Sequence, residues 1–269
     1  MSKRIDLLRI DYVFSVMIPL LIAIFLNNLN PFNHFDILIG FFFLAITGNT
    51  WNDVVDMKDP NEKETLERVE GYHPREIFTI GLVSFIFGIS LLLRTCLKYP
   101  INFLFLGIII IMVLLYVKWL KPIPLLNHIL LGASHVIFPY FMIKIDAELS
   151  LMSVPELILI LTTLGFAITG QLVHEVIDSD ALTRYFSLRQ CQIIIWTISM
   201  ITLILAIWAF IFLEQYYFFP FIFMPIGTMF TFRRPTKSSK GVKDVGILIG
   251  NFLMLYFICL ITIQMAGVI

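Results

Sequence analysis

Nine apolar stretches, separated by polar joints, dominate this sequence of 269 residues; they fall near 12–29, 35–55, 76–94, 100–120, 124–143, 153–175, 190–213, 217–232 and 244–268. Stretches of this kind approach or reach the roughly 20 residues needed to cross about 30 Å of hydrocarbon. The expected fold is therefore all-α: a polytopic integral membrane protein with nine transmembrane helices around a central cavity, forming one domain over 1–269. Most joints carry proline or loop residues, as in Asn30-Pro31, Tyr99-Pro100, Pro122-Ile123-Pro124 and Arg233-Arg234-Pro235. The segment 217–232 is the shortest and contains Pro220 and Pro225.

Composition supports this class: 59% of residues are hydrophobic and 14% charged, with no net formal charge. That balance gives a nucleic-acid partner no electrostatic basis. Cys96, Cys191 and Cys259 are too dispersed for a thiolate metal site or a disulfide framework and read as packing residues. The N-terminal polar residues precede a long apolar run without a small-residue cleavage pattern, so the first segment reads as a retained helix. Alternate connections hold 16 of the 19 Lys and Arg residues, the other side only Arg94, Lys98 and Lys144. Positive charge is retained on the cytoplasmic side. Nine spans then place the N-terminus in the cytoplasm and the C-terminus outside. Usage rich in Ile, Phe, Lys and Asn fits a prokaryotic source and hence its cell membrane.

Two acidic clusters interrupt this apolar pattern: Asn52-Asp53-Val54-Val55-Asp56-Met57-Lys58-Asp59 after the second segment, and His174-Glu175-Val176-Ile177-Asp178-Ser179-Asp180 after the sixth. The topology puts both on the cytoplasmic face. Asn52, Asp56 and Asp59 share a helical face if the helix continues through them, and Glu175 and Asp178 are three apart. Hard oxygen donors at two helix ends suit Mg²⁺, which keeps waters and shares substrate phosphate oxygens. A diphosphate is the natural third party, and Arg68, Lys118, Lys121, Arg184 and Arg189 supply positive charge nearby. Glu62, Glu64, Glu67 and Glu70 read as an ordinary solvated face. Asp53, on a different helical face, is intermediate.

These residues resemble the UbiA superfamily of intramembrane prenyltransferases. Asn52-Asp53-Val54-Val55-Asp56 is similar to the front of that family's N-x-x-x-D-x-x-x-D motif, and Glu175-Val176-Ile177-Asp178 to the entry of its second motif. Tyr116-Val117-Lys118-Trp119-Leu120-Lys121, with Asn127 after it, is similar to the family's Y-S-x-x-L-K segment and following asparagine. The chain departs from the pattern at two places: Asp59 stands one position before the expected acid, where position 60 is Pro60, and Leu182 replaces the last acid of the second motif, with Asp180 nearest.

The resemblance implies nine helices and Mg²⁺ held by Asn52, Asp56, Asp59, Glu175, Asp178 and Asp180. An allylic isoprenyl diphosphate ionises there and alkylates a small aromatic or lipid-like acceptor. Arg68 and Lys121 are expected on the diphosphate, with Lys118 and Arg184 behind them. Tyr116, Trp119 and Tyr140 are candidate walls for the cation, though an interfacial aromatic belt is a rival reading. His174 is placed to deprotonate an acceptor or to make a helix-end hydrogen bond; His128 and His135 read as core histidines. Two further functions are carried: a membrane-bound terpene cyclase, which needs no acceptor, and a cation transporter, disfavoured because the acids collect at one face. Prenyl length, acceptor and oligomeric state depend on three-dimensional features rather than on these motifs.

Overall fold

The structure is a computed structural model that describes residues 5–60, 62–150, 152–178, 181–233 and 240–268. Nine apolar helices occupy the expected segments of the described chain: α1 Phe14–Leu26, α2 Phe35–Asp56, α3 Pro74–Lys98, α4 Ile101–Leu120, α5 Leu126–Asp146, α6 Val154–Asp178, α7 Leu188–Leu213, α8 Pro220–Thr231 and α9 Lys240–Met265. Among the described residues seven of these, all except α1 and α8, are long and apolar enough to cross a membrane. Of the nine spans expected, seven are therefore present at spanning length, and the other two segments form shorter apolar helices. With 13 residues, α1 is about 20 Å long, and α8 has 12 residues with Pro225 inside it.

Burial explains how the helices are arranged. On α1 every residue from Ile18 to Phe25 is buried. A helix apolar on all sides has no solvent face and belongs in the middle of a bundle. The outer helices instead leave large apolar side chains exposed, such as Phe78, Phe87 and Ile86 on α3 and Trp208, Ile211 and Phe212 on α7. These are faces for lipid rather than water, and the protein is an integral membrane protein.

Lipid is as apolar as leucine, so helix association there depends on close packing. The α2–α3 pair shows it: a Cβ added to Gly88 would lie 2.9 Å from the Gly40 carbonyl oxygen. Elsewhere the ends are set by local chemistry. Ser187 starts α7 with a reciprocal cap, its N–H donating to Gln190 Oε1 at 2.9 Å while its Oγ accepts from the Gln190 N–H at 3.4 Å. Both α4 and α5 contain a widened π turn, at Tyr116–Leu120 and Ala133–Ile137. Such turns rotate the following residues relative to a regular helix.

Arg94 and Lys98 near the end of α3, and Lys144 near the end of α5, lie at the end of the bundle opposite both acidic clusters. Buried polar groups hold that far end together. Lys144 donates to Glu156 Oε1 at 2.6 Å and Asn27 Oδ1 at 2.9 Å, and His34 Nδ1 meets Asp146 Oδ2 at 2.7 Å.

Candidate active site

The C-terminal ends of α2 and α6 come together at one end of the bundle, over a cavity of about 1180 Å³. Its deeper walls are apolar, with Phe41, Leu44, Ile109, Val113, Phe166 and Leu253 among them. Its mouth is polar and charged: Asn52, Asp56, Asp59, Glu62, Glu64, Arg68, Lys121, His174, Glu175, Asp178, Arg184 and Lys243 all line it. An apolar chamber with a few convergent polar groups is the usual form of a small-molecule site.

The first cluster is built on the last turn of α2. Asn52 Nδ2 donates to Asp56 Oδ2 at 2.6 Å across one helical turn, as the i, i+4 spacing predicts. Asp56 is buried, and its other oxygen accepts directly from Lys121 Nζ, which also reaches Glu62 Oε1 at 3.2 Å. Burial pushes the Lys121 pKa down, but the Asp56 carboxylate beside it more than offsets this and holds it above its ordinary value. The helix does not continue to Asp59, as the sequence pattern allowed; it stops at Asp56, and Asp59 reaches the cavity from the following turn. Asp53, on the opposite side, is fully buried and grips Arg68 with both oxygens, at 3.1 and 2.7 Å, while Arg9 approaches at 3.4 Å.

The second cluster occupies the last turn of α6. Glu175 accepts from Asn127 Nδ2 at 2.7 Å and from the Leu182 N–H at 3.0 Å, with His128 Nε2 3.3 Å away. His174 bridges Tyr12 Oη at 3.0 Å and Asp178 Oδ2 at 2.9 Å. Asp178 also accepts from Lys243 Nζ at 3.0 Å, and the same ammonium meets Glu64 Oε2 at 2.6 Å. Asp180 lies outside the described residues.

Several expectations are revised. Asn127 is fully buried behind Glu175 rather than facing the cavity, so it positions that carboxylate. Lys118 is exposed, outside the cavity lining, with Nζ 4.3 Å from the Trp119 ring centroid; the π turn aims these two outward while Tyr116 and Lys121 face in. Tyr140 is far from the mouth, fully buried and hydrogen-bonded to Glu156 at 2.8 Å. His128 and His135 line the cavity rather than packing only in the core. Glu62 and Glu64 are more than a solvated face: Glu62, partly buried, pairs with Lys121, and Glu64, still 44% exposed, pairs with Lys243. Four further lining residues have no signal of their own in the sequence: Arg9 and Tyr12 from the segment before α1, Gln171 from α6 and Lys243 from α9. The counted Lys/Arg excess at this end was the one available hint of Arg9 and Lys243.

The donor set has a definite preference. Among the described residues no group of three His, Cys, Asp or Glu side chains forms an all-protein metal cage. The oxygens present nevertheless fit a hard cation that completes its shell with water and substrate: Asn52 Oδ1, beside Asp56, is buried and has no hydrogen-bond partner.

Comparison with known proteins agrees with this architecture. The profile of the UbiA prenyltransferase family matches residues 16–252. The chain belongs to the UbiA prenyltransferase family. Among solved structures, a UbiA homolog from Archaeoglobus fulgidus bound to GPP and Mg²⁺ is similar with a TM-score of 0.72 at 14% identity, over 97% of this chain and 99% of that one. The same homolog bound to DMAPP and Mg²⁺ gives 0.67 at 16% identity, with the same coverage. A structure concerning digeranylgeranylglyceryl phosphate synthase gives 0.63 at 16% identity, again over 97% and 99%. A comparison with curated proteins finds no match. At these identities the solved structures establish that this UbiA family chain shares their fold.

Proposed function

We propose that this UbiA family protein transfers a prenyl group from an allylic isoprenyl diphosphate to a small aromatic or lipid-like acceptor, with Mg²⁺ as cofactor. The observation that carries this reading is one cavity whose charged mouth combines two carboxylate clusters with lysines and whose interior is apolar. The solved homologs bound to GPP or DMAPP with Mg²⁺ support it.

Asn52, Asp56, Asp59, Glu175 and Asp178 would hold the metal, with Asp180 from the same motif. A Mg²⁺ ion held by these residues would supply positive charge against the negative charge growing on the departing diphosphate. Lys121, just after α4, holds the diphosphate, and Arg184 and Arg68 add positive charge at the mouth. Asp53 fixes the Arg68 fork, so its guanidinium acts as a placed charge at little reorganisation cost. The C1–O bond breaks with its electron pair leaving on the diphosphate, and the acceptor then bonds to C1 and loses a proton. Tyr116 walls the mouth beside Lys121, and the apolar chamber below keeps water from the allylic cation. His174, held between Tyr12 and Asp178, sets the orientation of Asp178. The Lys/Arg asymmetry supports a mouth that faces the cytoplasm, and the residue usage supports a prokaryotic cell membrane.

The test is product analysis with labelled geranyl, farnesyl and geranylgeranyl diphosphates, with and without a panel of acceptors. Prenylated acceptor formed only when acceptor and Mg²⁺ are both present supports transfer. Cyclic hydrocarbon formed without acceptor would replace it with the cyclase reading, and Mg²⁺ uptake into reconstituted vesicles without any product would replace it with transport.

A further inference from the structure

Two lysines at the mouth have the same kind of surroundings. Lys121 bridges Asp56 of the first cluster to Glu62; Lys243, on the first turn of α9, bridges Asp178 of the second cluster to Glu64. Glu62 and Glu64 belong to one connection, the stretch leading into and through the short helix Lys63–Arg68. Each cluster therefore has its own lysine, and a single connection supplies the second anion to both.

Lys243 and its partner Glu64 differ in freedom. The Lys243 side chain is 7% exposed and that of Glu64 44% exposed. A buried ammonium needs an anion nearby, because an unpaired charge out of water is strongly unfavourable. An exposed carboxylate, by contrast, returns to water at little cost. The fixed member is Lys243 and the releasable member is Glu64.

We propose that Lys243 is a diphosphate-binding residue and that Glu64 is its placeholder, an internal anion that keeps the lysine in position until a substrate diphosphate displaces it. The inference rests on the functional reading above, since it needs a diphosphate at this mouth. Glu64 then acts as a competing intramolecular ligand, which lowers apparent affinity by the share of molecules in which it occupies Lys243. Lys243 thus gains no access cost on binding: its position is prepared and only the carboxylate moves.

The experiment measures calorimetric binding of inorganic pyrophosphate with Mg²⁺ to the full chain in detergent. Glu64→Gln is expected to tighten binding about threefold or more, and Lys243→Met to weaken it about tenfold, with Lys243→Arg recovering part of the loss. In a Lys243→Met background, Glu64→Gln should give no gain. Glu67→Gln removes the same charge from an exposed position on the same short helix and should change little. Unchanged or weaker binding by Glu64→Gln overturns the placeholder, as does an equal gain from Glu67→Gln or a gain that persists without Lys243. Wild-type protein that binds no pyrophosphate overturns the functional reading and the placeholder together; wild-type binding with an unresponsive Glu64→Gln overturns the placeholder alone. A Lys243→Met protein that fails to fold leaves Glu64→Gln and Glu67→Gln to decide.

Discussion

Asn127 donates its side-chain amide to Glu175 at 2.7 Å and to the Lys121 carbonyl at 3.1 Å, so one buried residue joins the loop that carries the diphosphate lysine to the end of the second acidic helix. The two halves of the mouth are set relative to each other by this amide. Asn127→Ala should leave the fold intact but let Glu175 turn away. Groups that orient metal ligands are worth roughly 10- to 100-fold in metal affinity or activity. A Mg²⁺ titration of prenyl transfer should show half-saturation shifted upward by about that range; an unchanged titration would remove Asn127 from this role.

Asp56 is proposed to hold the metal and also pairs with Lys121, and a substitution separates these two roles. Asp56→Asn keeps the shape and the hydrogen bond from Lys121 but removes charge. Prenyl transfer should fall by about a hundredfold or more, while the melting temperature falls modestly because Lys121 keeps Glu62 as partner. Paired activity and thermal-shift measurements in detergent check both halves.

Asp53 is a structural residue with a functional consequence. It is fully buried and faces two guanidiniums, Arg68 and Arg9. Asp53→Ala leaves both without their anion and should cost about 3 to 5 kcal/mol, seen as a large drop in denaturation midpoint. Arg68→Met should instead raise the Michaelis constant for the diphosphate more than it lowers turnover.

Lys121 sets the expected pH behaviour. Its pKa is raised by Asp56 despite burial, so its pairing energy is fully present below the unfolded-state value of about 10.4 and is lost only as pH rises through the higher folded value. Pyrophosphate binding should therefore show no loss attributable to Lys121 between about pH 6 and pH 9. A loss in that interval that disappears in Lys121→Met would contradict this.

The helices were legible from the length of their apolar runs, and the shared end of the two acidic clusters from the order of those runs and the Lys/Arg asymmetry. Asn52 to Asp56 is one helical turn, and the apolar runs declare their own length. What was not legible comes from register and long-range pairing. A π turn separates Lys118 from Lys121, and nothing in that stretch announces it. Tyr140 lies 14 residues past the start of α5 at Leu126, about 20 Å along the axis from the mouth, so its aromatic character misleads. Lys243 is 65 residues beyond Asp178 and reads alone as an ordinary cytoplasmic charge. Glu62 and Glu64 resemble solvated helix acids until the fold brings a lysine from another helix to each.

The most direct test of the site is diphosphate release from geranyl, farnesyl and geranylgeranyl diphosphates by the purified protein, in the presence of the acceptor panel, comparing wild type with Asp56→Ala and Asp178→Ala. The account predicts release from at least one substrate that requires Mg²⁺ and falls to background in both variants. Release that persists without Mg²⁺ or in either variant, or none from wild type with any substrate and acceptor, would contradict it.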